Sequence, residues 1–205
     1  MEDLEAFRDA VARWAAGGPG DPAEAMSRRL GLRTAVLVEG ASDLAAVETL
    51  AARRGRDLAL DGVFVVAMGG AMSVARYAEL LGPPGLGLRL TGLCDEGERD
   101  FFTRGLERAG APPRDFFVCA ADLEDELIRA LGTSAVEDVF RAEGELRSWQ
   151  IFLTQPAQRG RPREQQVRRF LSTKKGRKIR YGGLLVAALD PARVPAPLDG
   201  LLTSV

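Results

Sequence analysis

Short apolar runs alternate with amphipathic stretches through the middle of the chain. Four of these runs are rich in β-branched or aromatic residues and are too short for helices, which predicts strands buried on both faces of a sheet. They occupy residues 34–38, 62–67, 88–93 and 115–119. A stretch with helical spacing follows each run, so the pattern predicts repeated strand–helix units and an α/β fold with a parallel sheet.

The amino-terminal part of the chain has a helical pattern of its own. Four apolar residues recur there at helical spacing, namely Leu4, Phe7, Val11 and Trp14. This spacing predicts a helix over residues 2–16, and a second helix is expected to end near residue 30. We therefore expect residues 1–30 to form a helical extension of an α/β core over residues 31–132.

The carboxyl-terminal part, residues 133–205, is predicted to be a helical and basic extension. Its pattern is mainly helical over residues 133–170. We interpret the aromatic residues there as core residues that pack the helices together, and stacking on nucleic-acid bases is the alternative. These aromatic residues are Trp149, Phe152 and Phe170. The tail that begins at Pro191 contains two further prolines, and we expect it to be extended along the surface.

Composition restricts the chemistry, because the chain has no histidine. This absence excludes catalytic triads, histidine-ligated zinc and a histidine general base. Two cysteines, Cys94 and Cys119, are too few for a disulfide framework, and we interpret both as small buried residues of a reduced protein. No apolar run approaches the roughly 20 residues that span a bilayer. The start lacks the regions of a secretion signal, so we expect a cytoplasmic protein without a membrane partner.

Charge is distributed unevenly along the chain. Residues 95–126 contain ten acidic and four basic residues, whereas residues 159–180 contain ten basic residues and one acidic residue. An acidic centre followed by a basic segment is typical of a metal site that serves a polyanion. The alternative for the basic segment is a solvated surface, and we favour contact with phosphate.

Carboxylates follow three of the four predicted strands. They are Glu39 and Asp43 after the first strand, Asp95, Glu96 and Glu98 after the third, and Asp122 and Glu124 after the fourth. Since adjacent parallel strands end at one edge of a sheet, we expect these groups to converge there. Carboxylates that lie close together repel one another unless a cation compensates, and oxygen ligands of this kind suit Mg²⁺ or Mn²⁺. The alternative is that each acid only caps the helix that follows it.

These residues resemble those of a TOPRIM domain. The resemblance lies in Leu37-Val-Glu39-Gly40-x-x-Asp43 after the first strand, Gly69-Gly70 after the second, and Asp95 at the end of the third. The wider pattern resembles the catalytic region of the overcoming lysogenization defect (OLD) nucleases over about residues 30–190. It adds the Ala121-Asp122-Leu-Glu124-Asp125-Glu-Leu127 segment and a late Gly176-Arg177-Lys178.

The resemblance implies a TOPRIM-like Rossmannoid fold. In this fold a central, mainly parallel sheet of about four strands is flanked by helices, here with extra helices at both ends of the chain. It also implies cleavage or nicking of DNA, with RNA left open, by a nuclease that uses Mg²⁺ or Mn²⁺ in a two-metal arrangement.

The resemblance further implies roles for individual residues. The metal ligands would be Glu39, Asp43, Asp95, Glu98, Asp122 and Glu124, with Asp95 between the two metals. Lys178 would stabilise negative charge on the phosphate, and it joins Glu39, Asp43 and Asp95 in the expected catalytic set. The cations expected to bind nucleic acid are Arg168, Arg169, Lys174, Lys175, Arg177, Lys178 and Arg180.

Two features depart from the family pattern. Gly97 stands where TOPRIM domains usually have a second aspartate on the third strand, and we expect Glu96 or Glu98 to replace it. OLD nucleases also carry an ATPase domain ahead of this region, but the chain has no Gly-x-x-x-x-Gly-Lys-[Ser/Thr] loop. We therefore expect either a standalone form or a separate ATPase chain as a partner, and a homodimer is left open.

Two other functions are compatible with the same residues. The first is a TOPRIM module that binds nucleic acid or a partner ATPase without cutting, which Gly97 favours. The second is a receiver-like phosphoacceptor domain, because flavodoxin-type folds also collect aspartates at strand ends. The basic segment has no role in the second alternative.

Overall fold

A four-stranded parallel sheet forms the centre of the computed structural model, which describes residues 2–112 and 116–205. Its strands are β1 (Thr34–Val38), β2 (Val63–Ala67), β3 (Arg89–Asp95) and β4 (Phe116–Cys119), in the order β2-β1-β3-β4. All three strand pairs are parallel. The predicted α/β class and parallel sheet are therefore confirmed, whereas the predicted start of the fourth strand at Asp115 lies outside the described residues.

Eleven α-helices surround this sheet within the described part of the chain. They are α1 (Glu2–Ala15), α2 (Asp21–Leu30), α3 (Ala41–Arg53), α4 (Val74–Leu81), α5 (Arg99–Arg108), α6 (Leu123–Leu131), α7 (Thr133–Ala142), α8 (Leu146–Thr154), α9 (Arg163–Leu171), α10 (Arg177–Ala188) and α11 (Ala196–Ser204). Short 3₁₀ turns occupy Ala71–Ser73, Glu96–Glu98, Pro156–Gln158 and Pro191–Arg193. None of these helices has the length and apolar character needed to cross a membrane.

The sheet separates two hydrophobic cores. Successive β1 side chains point to opposite faces, so Ala35 and Leu37 pack with α1, α2, α4 and α5, while Val36 and Val38 pack with α3 and the carboxyl-terminal helices. Both cysteines are buried free thiols, and Cys94 belongs to the first core whereas Cys119 belongs to the second. The sheet therefore lies between the two thiols.

The aromatic residues of the carboxyl-terminal helices form one buried cluster. Phe140 lies at its centre, with ring centroids 4.9 Å from Phe170 and 5.3 Å from both Trp149 and Tyr181. Trp149, Phe152 and Phe170 are all buried. The interpretation of these residues as packing is thus confirmed, and the cluster fixes α7, α8, α9 and α10 to one another.

The last residues of the chain correct one expectation. The tail from Pro191 is not extended along the surface, because it forms a 3₁₀ turn and then α11, whose Leu198, Leu201 and Leu202 are buried. Proline at the start of α11 is compatible with the helix, since the first turn needs no backbone N–H donors. A Cβ at Gly200 would lie 2.6 Å from the Phe117 ring, so α11 packs closely on β4.

Helix α10 crosses α3 at a distance that only glycine permits. A Cβ at Gly182 would lie 2.3 Å from the carbonyl oxygen of Ser42, which is closer than any real contact of that kind. Because Lys178 precedes Gly182 by about one helical turn, this crossing places the start of α10 beside the carboxyl end of β1. The carboxyl-terminal helices thus share one core with the sheet, and the boundaries at residues 30 and 132 stay a prediction.

Candidate metal centre

Three carboxylates converge at the carboxyl ends of β1 and β3. Glu39 directly follows β1, Asp95 ends β3, and Glu98 ends the 3₁₀ turn that continues from β3. One carboxylate oxygen from each residue lies within 4.8 Å of the other two. The register explains this convergence, because β1 and β3 are neighbours in the sheet with Leu37 opposite Gly92.

The electrostatics of this cluster call for a positive charge. Burial, together with the negative charges of Asp122 and Glu39, raises the pKa of Asp95 to about 7. Burial also raises the pKa of Glu98 to about 7, together with a hydrogen bond to Glu39. The Oε2 atom of Glu98 is buried without a hydrogen-bond partner. Three hard oxygen donors with an unpaired buried oxygen among them fit a divalent cation such as Mg²⁺ or Mn²⁺.

The 3₁₀ turn after β3 determines which glutamate joins the cluster. The side chain of Glu96 is 56% exposed and lies 3.6 Å from Arg99, so it points away from Glu39. Glu98 is the residue that approaches Glu39 and Asp95. A Cβ at Gly97 would meet nothing within 4 Å, so Gly97 faces open space. Of the two glutamates that the sequence offered in place of the missing aspartate, the structure brings Glu98 to this position.

The glycine pair after β2 holds the backbone of Glu39. The N–H groups of Gly69 and Gly70 donate to the carbonyl oxygen of Glu39 at 3.0 and 3.2 Å. Gly70 has φ 128° and ψ 150°, a conformation that essentially only glycine adopts. The pair that the sequence offered as part of the TOPRIM resemblance thus contacts a residue of the carboxylate cluster.

Asp43 lies near the cluster but faces its own helix. Its Oδ2 accepts a hydrogen bond from the Gly40 N–H at 2.9 Å, at the start of α3. Burial raises the pKa of Asp43, while the hydrogen bond from Gly40 and the charge of Lys178 lower it. Asp43 therefore caps α3 and adds negative charge to the site, and it is not one of the three converging ligands.

A second acidic group lies at the start of α6. Asp122 caps this helix, because its Oδ1 accepts a hydrogen bond from the Asp125 N–H at 2.7 Å. Its Oδ2 accepts a hydrogen bond from the guanidinium of Arg168. Glu124, whose side chain is only 11% exposed, lies 3.9 Å from both Arg168 and Lys178. Burial raises the pKa of Glu124 to about 7, against the opposing effect of the Lys178 charge.

The lysines of the basic segment differ in position. Lys178 lies in the first turn of α10, where its ammonium faces Glu124. Lys174 and Lys175 are exposed and line a separate cavity of about 280 Å³. Among the three lysines considered from the sequence, Lys178 is thus the one beside the carboxylates.

The arginines of the basic segment also divide into different roles. Arg177 is buried, with its Nε 2.8 Å from Glu145 and its guanidinium 4.0 Å from the centre of the Phe170 ring. This burial corrects the expectation that Arg177 contacts nucleic acid, because its charge is already used inside the protein. Arg180 forms an ion pair with Glu143.

An open groove runs along α8 and α9 and reaches Glu124 and Lys178. Its volume is about 550 Å³, and its lining includes Glu124 and Lys178 from the site together with Arg168, Arg169, Gln155 and Ser172. Arg169 is exposed, and no carboxylate of the described residues pairs with it. A groove lined by Arg168, Arg169 and Lys178 provides electrostatic attraction for a polyanion.

This combination of fold and site defines a class of protein. It is an α/β domain whose parallel strands present a carboxylate cluster at their carboxyl edge. Residues 32–96 match the model of the family described as overcoming lysogenization defect protein-like, TOPRIM domain. This part of the chain is therefore similar to a TOPRIM domain of the OLD type, which confirms the resemblance inferred from the sequence.

Solved structures support the fold over a larger part of the chain. The C-terminal region of the Burkholderia pseudomallei OLD protein is similar with a TM-score of 0.63 at 21% identity, and the match covers 84% of this chain and 96% of that one. The C-terminal region of the Xanthomonas campestris pv. campestris OLD protein gives a TM-score of 0.65 at 23% identity, with coverage of 84% and 93%. At this identity the likeness establishes the fold. No curated protein matches the chain.

Two features of the site were missed by the sequence reading. One is the contact of Arg168 with the acids of α6, and the other is the bond between the glycine pair and Glu39. Arg168 belongs to a run of basic residues, so its sequence context gives no signal that separates it from its neighbours. The position of Gly69-Gly70 after β2, the neighbour of β1, was a usable signal for the second contact.

We predict that metal-free protein loses thermal stability as the pH rises from 5 to 8. The pKa values of Asp95 and Glu98 rise from ordinary values of 3.8 and 4.5 to about 7 on folding. Between these limits the folded state binds protons that the unfolded state releases, so the free energy of unfolding falls with increasing pH. Melting followed by circular dichroism in EDTA should show this decrease.

Added Mn²⁺ should raise the melting temperature strongly at pH 8 and only weakly at pH 5, where protons occupy the same oxygens. Glu98→Gln serves as the comparison, because it removes one of the titrating groups and should reduce both effects. A melting temperature in EDTA that rises between pH 5 and 8, or an equal Mn²⁺ effect at both pH values, would contradict this account of the cluster.

Proposed function

We propose that this protein hydrolyses phosphodiester bonds in DNA with a divalent cation, Mg²⁺ or Mn²⁺. The observation that carries the proposal is the convergence of Glu39, Asp95 and Glu98 within 4.8 Å at the edge of the sheet. The OLD-type TOPRIM match over residues 32–96 supports a nuclease, and it favours this function over a receiver-like phosphoacceptor. RNA is a second substrate that the same chemistry would accept.

Glu39, Asp95 and Glu98 are proposed as the residues that hold the cation. When bound, such a cation polarises the phosphate and lowers the pKa of a coordinated water. The hydrogen bonds from Gly69 and Gly70 to the Glu39 carbonyl orient the backbone that carries the first of these ligands. Asp43 and Glu124 border the cluster and add to its negative charge.

Lys178 is proposed to stabilise negative charge on the phosphate. Its ammonium lies 3.9 Å from Glu124 and its side chain is about half exposed, so Lys178 is both held by the site and open to a ligand. A lysine in this position acts as a point charge toward the phosphate oxygens. The α10–α3 crossing at Gly182 fixes the helix that carries it.

The exposed cations of the basic segment are proposed to bind the phosphates of the substrate. Arg169, Lys174 and Lys175 are exposed and form no ion pair within the described residues, so their charges are available to a polyanion. Lys178 and Arg180 lie on the next helix and would extend this surface, although Arg180 would have to leave Glu143. Arg177 is not part of it, because its guanidinium is buried.

A second candidate function is a TOPRIM module that binds nucleic acid or a separate ATPase chain without cutting. The observation that favours it is the contact of Arg168 with Asp122 and Glu124, two residues expected to hold a second metal. A separate ATPase partner is proposed because the similar solved structures are C-terminal regions of larger OLD proteins. A homodimer and a cytoplasmic location are proposed on sequence grounds alone.

The first test is nicking of supercoiled plasmid in the presence of Mg²⁺ or Mn²⁺. We predict metal-dependent nicking that EDTA abolishes. Glu98→Gln should reduce the rate by about 100-fold or more, since losing even an outer-shell partner of a metal costs about 10- to 100-fold. The matched control is Glu96→Gln. It removes one negative charge from an exposed side chain two residues before Glu98, and this variant should nick at the parent rate.

Equal rates for Glu98→Gln and Glu96→Gln would show that Glu98 is not a ligand. Nicking that persists in EDTA would contradict a metal-dependent mechanism. If the parent binds DNA but does not nick it with either metal, the non-cutting module becomes the better description.

We further predict that replacing Arg169, Lys174 and Lys175 together by alanine weakens DNA binding and makes it less dependent on salt. Log K falls as log salt concentration rises, and each lost phosphate contact should make this slope less negative by about 0.9. Fluorescence anisotropy with a labelled duplex at several salt concentrations measures both quantities.

A triple variant of equal charge, with Arg13, Arg28 and Arg108 replaced by alanine, is the control. These arginines are exposed near the ends of α1, α2 and α5. If both triple variants lose the same affinity and the same slope, then net charge rather than the basic segment determines binding.

A further inference from the structure

Basic side chains of the protein itself surround the acidic group at the start of α6. Its members are Asp122, Glu124 and Asp125, with side-chain exposures of 21%, 11% and 23%. The guanidinium of Arg168 reaches all three, through a hydrogen bond to Asp122 and distances of 3.9 Å to Glu124 and 3.6 Å to Asp125. One arginine from α9 therefore stands at the centre of this group.

Each carboxylate oxygen in this group faces a donor from the chain. In Asp122, Oδ1 accepts from the Asp125 N–H and Oδ2 from Arg168. In Glu124, Oε1 faces Arg168 and Oε2 faces Lys178, each at 3.9 Å. In Asp125, Oδ1 faces Arg168 at 3.6 Å and Oδ2 accepts from Arg129 at 2.9 Å. Each carboxylate of the group thus lies within 4 Å of a positively charged side chain.

The Glu39–Asp95–Glu98 cluster differs in this respect. The Oε2 atom of Glu98 has no hydrogen-bond partner although it is buried. Among the described residues, this cluster is also the one whose ligand atoms all lie within 4.8 Å of one another, close enough to hold a metal. The carboxylate oxygens of the α6 group are not gathered within that distance. The two acidic groups therefore differ, because only the α6 group has a guanidinium among its carboxylates.

The position of Arg168 is fixed by its helix. Its neighbours Val167, Phe170 and Leu171 are buried in the carboxyl-terminal core, so α9 is anchored with Arg168 on the side that faces α6. A guanidinium remains charged at every accessible pH and presents several N–H donors in a plane. A divalent cation would have to displace this charge from three carboxylates before it could bind Asp122 and Glu124.

We propose that Arg168 takes the place of a second divalent cation, so that the centre uses one metal ion and one guanidinium. The inference rests on the proposed function, since it concerns the cation requirement of the same site. Asp122 and Glu124 then act as partners that position Arg168 and Lys178 beside the phosphate. The charge of Arg168 thus takes the place of a metal's charge, and Asp122 and Glu124 are the positioning residues.

The test is the stoichiometry of Mn²⁺ binding to the full chain, measured by calorimetry and by the electron paramagnetic resonance signal of free Mn²⁺ at pH 8. The parent should bind one Mn²⁺, and Arg168→Gln should bind two. Arg168→Lys, which keeps the positive charge, should bind one. Arg169→Gln is the matched control, because it removes an exposed arginine from the next position and should also leave the stoichiometry at one.

A parent that binds two Mn²⁺ ions would overturn the inference and leave the proposed metal centre intact. Arg168→Gln that stays at one would overturn it as well, because Arg168 would then not be what excludes the second ion. A parent that binds no Mn²⁺ would contradict the proposed metal centre itself. Circular dichroism melting identifies a variant that fails to fold, and Arg168→Ala then provides the second neutral substitution.

Discussion

Repulsion among carboxylates is the constraint on which the site depends. A parallel sheet delivers its strand ends to one edge, and this chain places Glu39, Asp95 and Glu98 there within 4.8 Å of one another. Burial adds to the repulsion, which is why the pKa values of Asp95 and Glu98 rise to about 7. Such a cluster is stable near neutral pH only when protons or a cation offset its negative charge, and this is the basis for proposing a metal there.

The carboxyl-terminal helices supply the remaining positive charge. The glycine crossing of α10 on α3 places Lys178 near Glu124, and the buried aromatic cluster anchors α9 so that Arg168 reaches the acids of α6. The same helices expose Arg169, Lys174 and Lys175 to solvent. One basic segment thus has two uses, since some of its cations balance the acids of the protein and others are available to a polyanion.

The sequence predicted the sheet well because short β-branched runs and helical spacing are local signals, and β1 begins and ends at the predicted residues. It also predicted the acids of the site, since polar residues directly after strands mark the carboxyl edge. Local signals could not predict the helix after Pro191, whose stability comes from burial of Leu198 and Leu202. Nor could they separate buried Arg177 from exposed Arg169, because that difference arises from helix packing.

The most direct test of the central claim is the position of a bound ion. Crystals grown with Mn²⁺ and measured for anomalous scattering would locate it independently of any activity. The account predicts a peak bounded by Glu39, Asp95 and Glu98, with Arg168 still in contact with Asp122. A peak among the acids of α6 with none between Glu39 and Glu98, or no peak at saturating Mn²⁺, would contradict the account.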